Sequence, residues 1–224
     1  MAQAAIAELH SRDRILDAAE SLFARRGFAA VGMREVAEAA GLGKSSLFHH
    51  FRSKSDLYAA VVGRILDIFD QRLTAALVGG GDPLTRFDRW IDAAIDTFAA
   101  HRTSARLLLR SLFEDDDLAG ESEEEQRVNR TIGRVFSAVA NLLREGMERG
   151  EFRRASIPHT LQSLVGLTVY HFASGEFGEE LLGRPLYAPE EVRRRKLEIK
   201  ALLHSGLTVA AARTPGRAKK ESGD

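Results

Sequence analysis

The sequence predicts an all-α protein, with an N-terminal three-helix helix-turn-helix unit followed by a larger helical domain. Three observations carry this: apolar residues recur at helical rather than alternating spacing, Pro occurs only five times, and no strand-rich segment competes. At 224 residues and 44% hydrophobic the chain buries a sizeable core, and its length leaves open one large domain or a small one plus a medium one.

The first helix is expected over 11–26, where Ile15, Leu16, Ala19, Leu22 and Phe23 fall on one stripe, Ser11 serves as N-cap and Gly27 stops it. A short second helix over 33–40 places Val36, Ala37 and Ala40 on one face, with Gly32 as its cap. Gly41 then supplies the left-handed conformation of a tight turn. The third, over 44–50, buries Leu47 with Phe51 just beyond and turns Lys44, Ser45, Ser46 and His49 outward. Two short helices about a glycine turn make a helix-turn-helix pattern.

A long amphipathic helix over 54–77 follows, with the stripe Leu57, Tyr58, Val61, Ile65, Leu66, Phe69 and Leu73. The run Gly79-Gly80-Gly81-Asp82-Pro83 breaks it, and Pro83 starts the next helix. Further helical patterns run over about 83–101, 104–116, 122–149, 157–174 and 189–212. Between Glu114 and Glu125 stand eight carboxylates with no basic residue, which reads as a solvated acidic connection, with metal binding the weaker alternative. The expected division is 1–53, 54–212 and a disordered tail over 213–224.

Lys+Arg and Asp+Glu both total 32, so no global field announces nucleic acid and any attraction must be local. Between 41 and 64 it is: Lys44, Arg52, Lys54 and Arg64 face only Asp56. The absence of Cys removes disulfides, thiolate zinc sites and cysteine nucleophiles. The first ten residues lack a signal-peptide pattern and no stretch is apolar long enough for a bilayer, so a soluble, cytoplasmic protein is expected.

No GxSxG or HExxH occurs. Gly43-Lys44-Ser45 is not a P-loop, because Glu38 stands where that motif needs glycine. His49 and His50 point in different directions on a helix and make no metal pair. Neither catalysis nor a metal or cofactor is therefore expected.

Over Ile15–Leu57 the chain resembles the DNA-binding domain of the TetR (tetracycline-repressor-like) family. The resemblance rests on Ala18-Ala19, Leu22-Phe23, Gly27-Phe28, Val36-Ala37, Ala40-Gly41, Leu47 to Phe51 and Lys54 in their joint spacing. The third helix is then the one that enters the major groove. Lys44 donates to guanine O6 or N7, the Ser45 and Ser46 hydroxyls discriminate loosely, His49 faces DNA, and Phe48 meets a thymine methyl. By resemblance Arg34 reaches a base or phosphate, while His50 and Lys54 lie on the phosphate backbone and position rather than specify. Gly32, Met33 and Phe48 each replace a hydroxyl residue usual in the family, which removes phosphate contacts at Met33 and Phe48.

The family implies a homodimeric repressor of a palindromic double-stranded operator, released by a small-molecule effector; the alternative is a constitutive dimeric DNA-binding protein without an effector. Trp90, His101, Phe113, Phe136, Tyr170 and His171 are candidates to line an effector cavity, and each fits ordinary core packing equally well. The dimer is expected from Ile132, Val135, Phe136, Val139, Leu142 and Leu143 with Leu161, Leu164, Val165 and Thr168. The cluster Arg193 to Lys200 reads as a solvated helix face.

Overall fold

The computed structural model describes residues 2–113 and 122–209, with side chains omitted for 2–8, 112 and 113. Among them every regular element is helical, and one isolated bridge pairs Phe152 with Thr208. The elements are α1 (Ala2–Arg26), α2 (Met33–Ala39), α3 (Lys44–His50), α4 (Lys54–Leu77), α5 (Pro83–Ala100), α6 (Ser104–Phe113) and α7 (Glu123–Glu148). Then come α8 (Ile157–Val165), a π-helical turn (Gly166–Tyr170), α9 (His171–Ala173), α10 (Glu176–Leu182) and α11 (Pro189–Leu207).

Capping sets several boundaries. The Ser53 hydroxyl accepts from the Asp56 amide at 3.0 Å, Asp82 accepts from the Thr85 amide at 2.7 Å ahead of Pro83, and Ser122 with Glu125 forms a reciprocal box opening α7. One start differs from expectation. The segment from Ala2 contains neither Gly nor Pro, so α1 runs through Ser11 instead of beginning there. The expected tail over 213–224 and most of the acidic 114–125 connection lie outside the described residues.

Helix α4 is the shared spine. Its first half closes the N-terminal core, where Tyr58 meets the rings of Phe23 and Phe28 edge-on, each at 5.2 Å. Its second half packs against α5 and α7, with Phe69 and Phe98 rings 4.4 Å apart. Helix α11 returns along α5, and Asp88, Asp92 and Asp96, one turn apart, meet His204, Lys200 and Lys196 at 2.7, 2.9 and 2.6 Å. Part of the cluster read as a solvated face thus ties two helices together. At Gly146 a Cβ would stand 2.1 Å from the Phe152 ring, so only glycine lets that ring reach Phe87, 5.8 Å away.

The expected dimer stripe is also corrected. Five of its ten residues are buried within the chain itself: Val139, Leu142 and Leu143 of α7, which packs along α4 and α5, together with Leu164 and Thr168, while Ile132, Val135, Phe136, Leu161 and Val165 are half-buried. The large apolar side chains left exposed on the C-terminal helices are instead Tyr170, Phe177, Leu181, Leu197 and Leu202, with Leu182 less so. No helix among the described residues is long and apolar enough to cross a membrane.

Candidate nucleic-acid interface

Helices α2 and α3 are seven residues each, too short to stand alone, and tertiary packing holds them. Val36, Ala37, Leu47 and Phe51 go inward against Ile15, Leu16 and Phe23 of α1. Gly41 takes φ +66° between them. Arg14 clamps this turn, donating from Nη2 to the Ala40 carbonyl and, at 3.3 Å, to that of Gly41. Gly32 and Gly43 cap α2 and α3 from extended backbone without side-chain hydrogen bonds.

What remains outward on α3 is chemically varied. Lys44, Ser45, Phe48 and His49 are exposed, while Ser46 and His50 are half-buried. Lys44 Nζ lies 5.5 Å from the Phe48 ring centre, so the two share a face one turn apart, and the His49 and His50 rings meet edge-on at 5.5 Å. Arg34, near the start of α2, pairs with Glu38 at 2.9 Å, both strongly exposed, a contact worth only about 0.3–0.5 kcal/mol.

Lys54 differs from the others. Its ammonium donates to the Phe28 carbonyl at 2.9 Å and lies 4.1 Å from the Phe28 ring centre, so it closes the link between α1 and α2. Arg64, counted in the basic window, pairs with Asp17 at 2.7 Å and Glu20 at 2.6 Å, which leaves the exposed Lys44 and Arg52 and the half-buried Lys54 as the charges of that window without a carboxylate partner among the described residues. Arg12 and Arg14 escaped the sequence reading: Arg12 lies 5.2 Å from the Phe51 ring centre and pairs with Glu124 of α7 at 2.8 Å. Their partners are tens of residues away, and no local pattern marks them.

The N-terminal helices are joined to the rest by polar contacts on several sides. Thr103 donates to Glu20 at 2.6 Å, Arg110 donates to the Phe23 carbonyl at 3.0 Å, and the Tyr58 hydroxyl donates to the Leu107 carbonyl at 3.4 Å.

The cavity candidates whose side chains are described do not all converge on one site. Trp90 is buried and stacks on Phe87 at 6.3 Å, whereas His101 ends the same helix, eleven residues or about 16 Å along its axis. Phe136 is half-buried on α7, Tyr170 is 53% exposed, and the Phe113 side chain lies outside the described residues. His171 alone among them lines one of the described cavities, with Arg184, Arg194 and Arg195.

A short exposed helix set on a second helix by a left-handed glycine turn, carrying Lys, Ser and His outward, defines a helix-turn-helix protein of the DNA-binding regulator class. Residues 15–61 match the family model described as bacterial regulatory proteins, tetR family, and residues 83–201 match that of the tetracyclin repressor-like C-terminal domain. The chain belongs to the TetR family of transcriptional regulators.

Among relatives, it is 36% identical over 105 residues to the transcriptional activator FasR of Mycolicibacterium smegmatis, covering 47% of this chain and 46% of that one. It is 30% identical over 145 residues to the repressor NemR of Escherichia coli, covering 64% and 70%. The match to KstR, a repressor of M. smegmatis, is 30% over 116 residues, 51% of this chain and 57% of that one. The chain thus spans about half the length of FasR and KstR. The fold is shared with KstR2 of Mycobacterium tuberculosis (TM-score 0.69, 21% identity, 88% and 95% covered). It is shared as well with AibR, solved in complex with isovaleryl coenzyme A and operator DNA (TM-score 0.69, 16% identity, 86% and 97% covered).

Proposed function

We propose that this protein is a homodimeric repressor that binds a palindromic operator through α3 and is released from it by a small-molecule effector held among the C-terminal helices. The observation that carries this reading is the outward face of α3, with Lys44, Ser45, Phe48 and His49 exposed on a packed and clamped scaffold. Lys44 is the specifying residue, at guanine O6 or N7; Ser45, Ser46, Phe48 and His49 add weaker discrimination, and Arg34, His50 and Lys54 meet phosphates. Residues 1–53 act as reading head and 54–212 as effector and dimer domain, in the cytoplasm.

The dimer forms through the exposed apolar side chains of α8 to α11, including Tyr170, Leu197 and Leu202, rather than through α7. The effector acts by binding the non-DNA conformation more tightly, and the contacts of α6 and α7 with α1 carry the change to the head. That AibR holds an acyl thioester and operator DNA on this fold supports the pairing of functions. DNA capture followed by sequencing tests the reading: an inverted repeat with half-sites about one helical turn apart is expected. Half a turn inserted between the half-sites should drop affinity to the non-specific level. Enrichment of single half-sites, indifferent to such insertions, would remove the dimeric-operator reading.

A further inference from the structure

Where the π-helical turn gives way to α9, a cavity of about 300 Å³ opens against α11, at the lower end of small-molecule sites, roughly 300–1,000 Å³. His171, Arg184, Glu191, Arg194, Arg195 and Glu198 line it. The four residues from α11 recur at helical spacing, so they share one face.

Three observations set this cavity apart from a surface dent. His171 is 7% exposed, and its Nε2 has no hydrogen-bond partner, which is costly for a buried polar atom. Arg195 crosses the groove to donate to the Leu167 carbonyl at 2.6 Å, and its Nε is also buried and unpartnered. The Leu167 carbonyl belongs to the π-helical turn that ends immediately before His171, and such turns recur at functional sites. Burial, with the Arg195 charge beside it, brings the His171 pKa down to about 4, so the imidazole is neutral near pH 7.

Arg184 and Arg194 are exposed at the cavity mouth and have no ion pair among the described residues. Three arginines against two carboxylates leave the lining with one net positive charge. We propose that this cavity binds a small organic monoanion, its carboxylate on the guanidinium forks of Arg184 and Arg194, a polar group on His171 and an apolar portion on Leu182. Planar guanidinium matches carboxylate geometry, and the neutral imidazole adds a hydrogen-bonding group without charge. Glu191 and Glu198 disfavour a dianion such as phosphate. That the anion is the effector rests on the function proposed above; that it binds does not.

The test uses the full chain, the double variant Arg184→Gln/Arg194→Gln, whose exposed positions spare the fold, and Arg193→Gln as a control outside the cavity lining. Butyrate and benzoate serve as probes, with inorganic phosphate and chloride at matched ionic strength. The carboxylates are expected to raise the melting temperature and shift the His171 ring resonances in the wild type and Arg193→Gln, and to bind the double variant at least about tenfold more weakly. The site is overturned if the double variant responds like the wild type, if the His171 resonances stay in place, or if phosphate matches the carboxylates. A double variant that falls to monomer in light scattering with its anion response intact also overturns it, because the arginines would then belong to the subunit contact. Release of captured operator by the same carboxylate supports the effector role; binding without release keeps the site and rejects that role alone.

Discussion

The N-terminal and C-terminal helices handle polar groups in opposite ways. In the first 85 residues no described buried side-chain nitrogen or oxygen lacks a partner, and the polar chemistry of α3 faces outward. Beyond that point Arg86 Nε, Trp90 Nε1, His101 Nε2, His171 Nε2 and Arg195 Nε are all buried and unpartnered. Each such group costs on the order of 1–3 kcal/mol. The first 85 residues thus leave their described buried polar side-chain atoms paired, whereas the larger unit carries several unpaired ones, of which His171 and Arg195 line the cavity proposed above as an anion site.

The sharpest way to break this contrast is to put charge on both kinds of face. Val139→Asp with Leu164→Asp, both at buried positions, is expected to unfold the C-terminal helices, at a cost of several kcal/mol beyond about 4. Leu197→Glu with Leu202→Glu, at exposed positions, should leave helicity intact and give a monomer by light scattering. A folded monomer from the first pair would restore α7 as the dimer surface.

His171 provides the next largest effect. Its pKa falls from 6.5 unfolded to about 4 folded, so between those values the unfolded chain binds the additional proton. Stability should then fall as pH drops from about 6.5 to about 4, with no contribution above that window, a loss on the order of 2–3 kcal/mol. His171→Asn should flatten that part of the denaturation-midpoint profile. An unchanged slope in the variant would place the titration elsewhere.

Such differences also decide what a sequence discloses. The α2–α3 unit is written in neighbouring residues: Val36, Ala37, Gly41 and Leu47 sit within one short window, so periodicity and one glycine locate the turn. Helix α10 passed unseen because EFGEELL, between Gly175 and Gly183, is too short for an apolar period to show. His171 was legible as a candidate, yet Arg184 and Arg195 were not, since the cavity exists only once α11 folds back. Arg64 shows the reverse failure: its place in the basic window is local, but Asp17 and Glu20, which neutralise it, are more than forty residues away.

At the reading surface, Lys44→Ala should abolish preference among mutated operators, a loss of about 1–3 kcal/mol of discrimination, with little change in stability, because its side chain is exposed and lies over the exposed Phe48 ring. Lys54→Ala should weaken all DNA alike and also lower the melting temperature, since it removes the bond to the Phe28 carbonyl. Binding-shift titrations against an operator panel, paired with thermal melts, separate the two. A wild-type operator ranking from Lys44→Ala would take α3 out of base recognition.

The smallest effect lies on the seam between the regions. Arg12 and Glu124 meet at 2.8 Å with side chains 33% and 28% exposed, and Arg12 also lies beside the Phe51 ring. Partly solvated ion pairs contribute little, so a double-mutant cycle with Arg12→Gln and Glu124→Gln should return a coupling of about 0.2–1 kcal/mol that shrinks with added salt. Each single change also removes a second contact, Arg12→Gln that with the Phe51 ring at the end of α3 and Glu124→Gln the longer pair with Arg127 at 3.6 Å, which is why the cycle and not either single variant isolates the coupling. Neither residue is on the outward face of α3, so operator ranking should be unchanged in both. If α7 helps to hold the head in its DNA-binding orientation, breaking the pair should lower operator affinity while leaving the order of operators intact. Identical affinity in the wild type and the double variant would mean that α1 and α7 touch without communicating, and the route from the C-terminal helices to the head would then run through the other contacts, among them α4 itself, Thr103 before α6 and Arg110 within it.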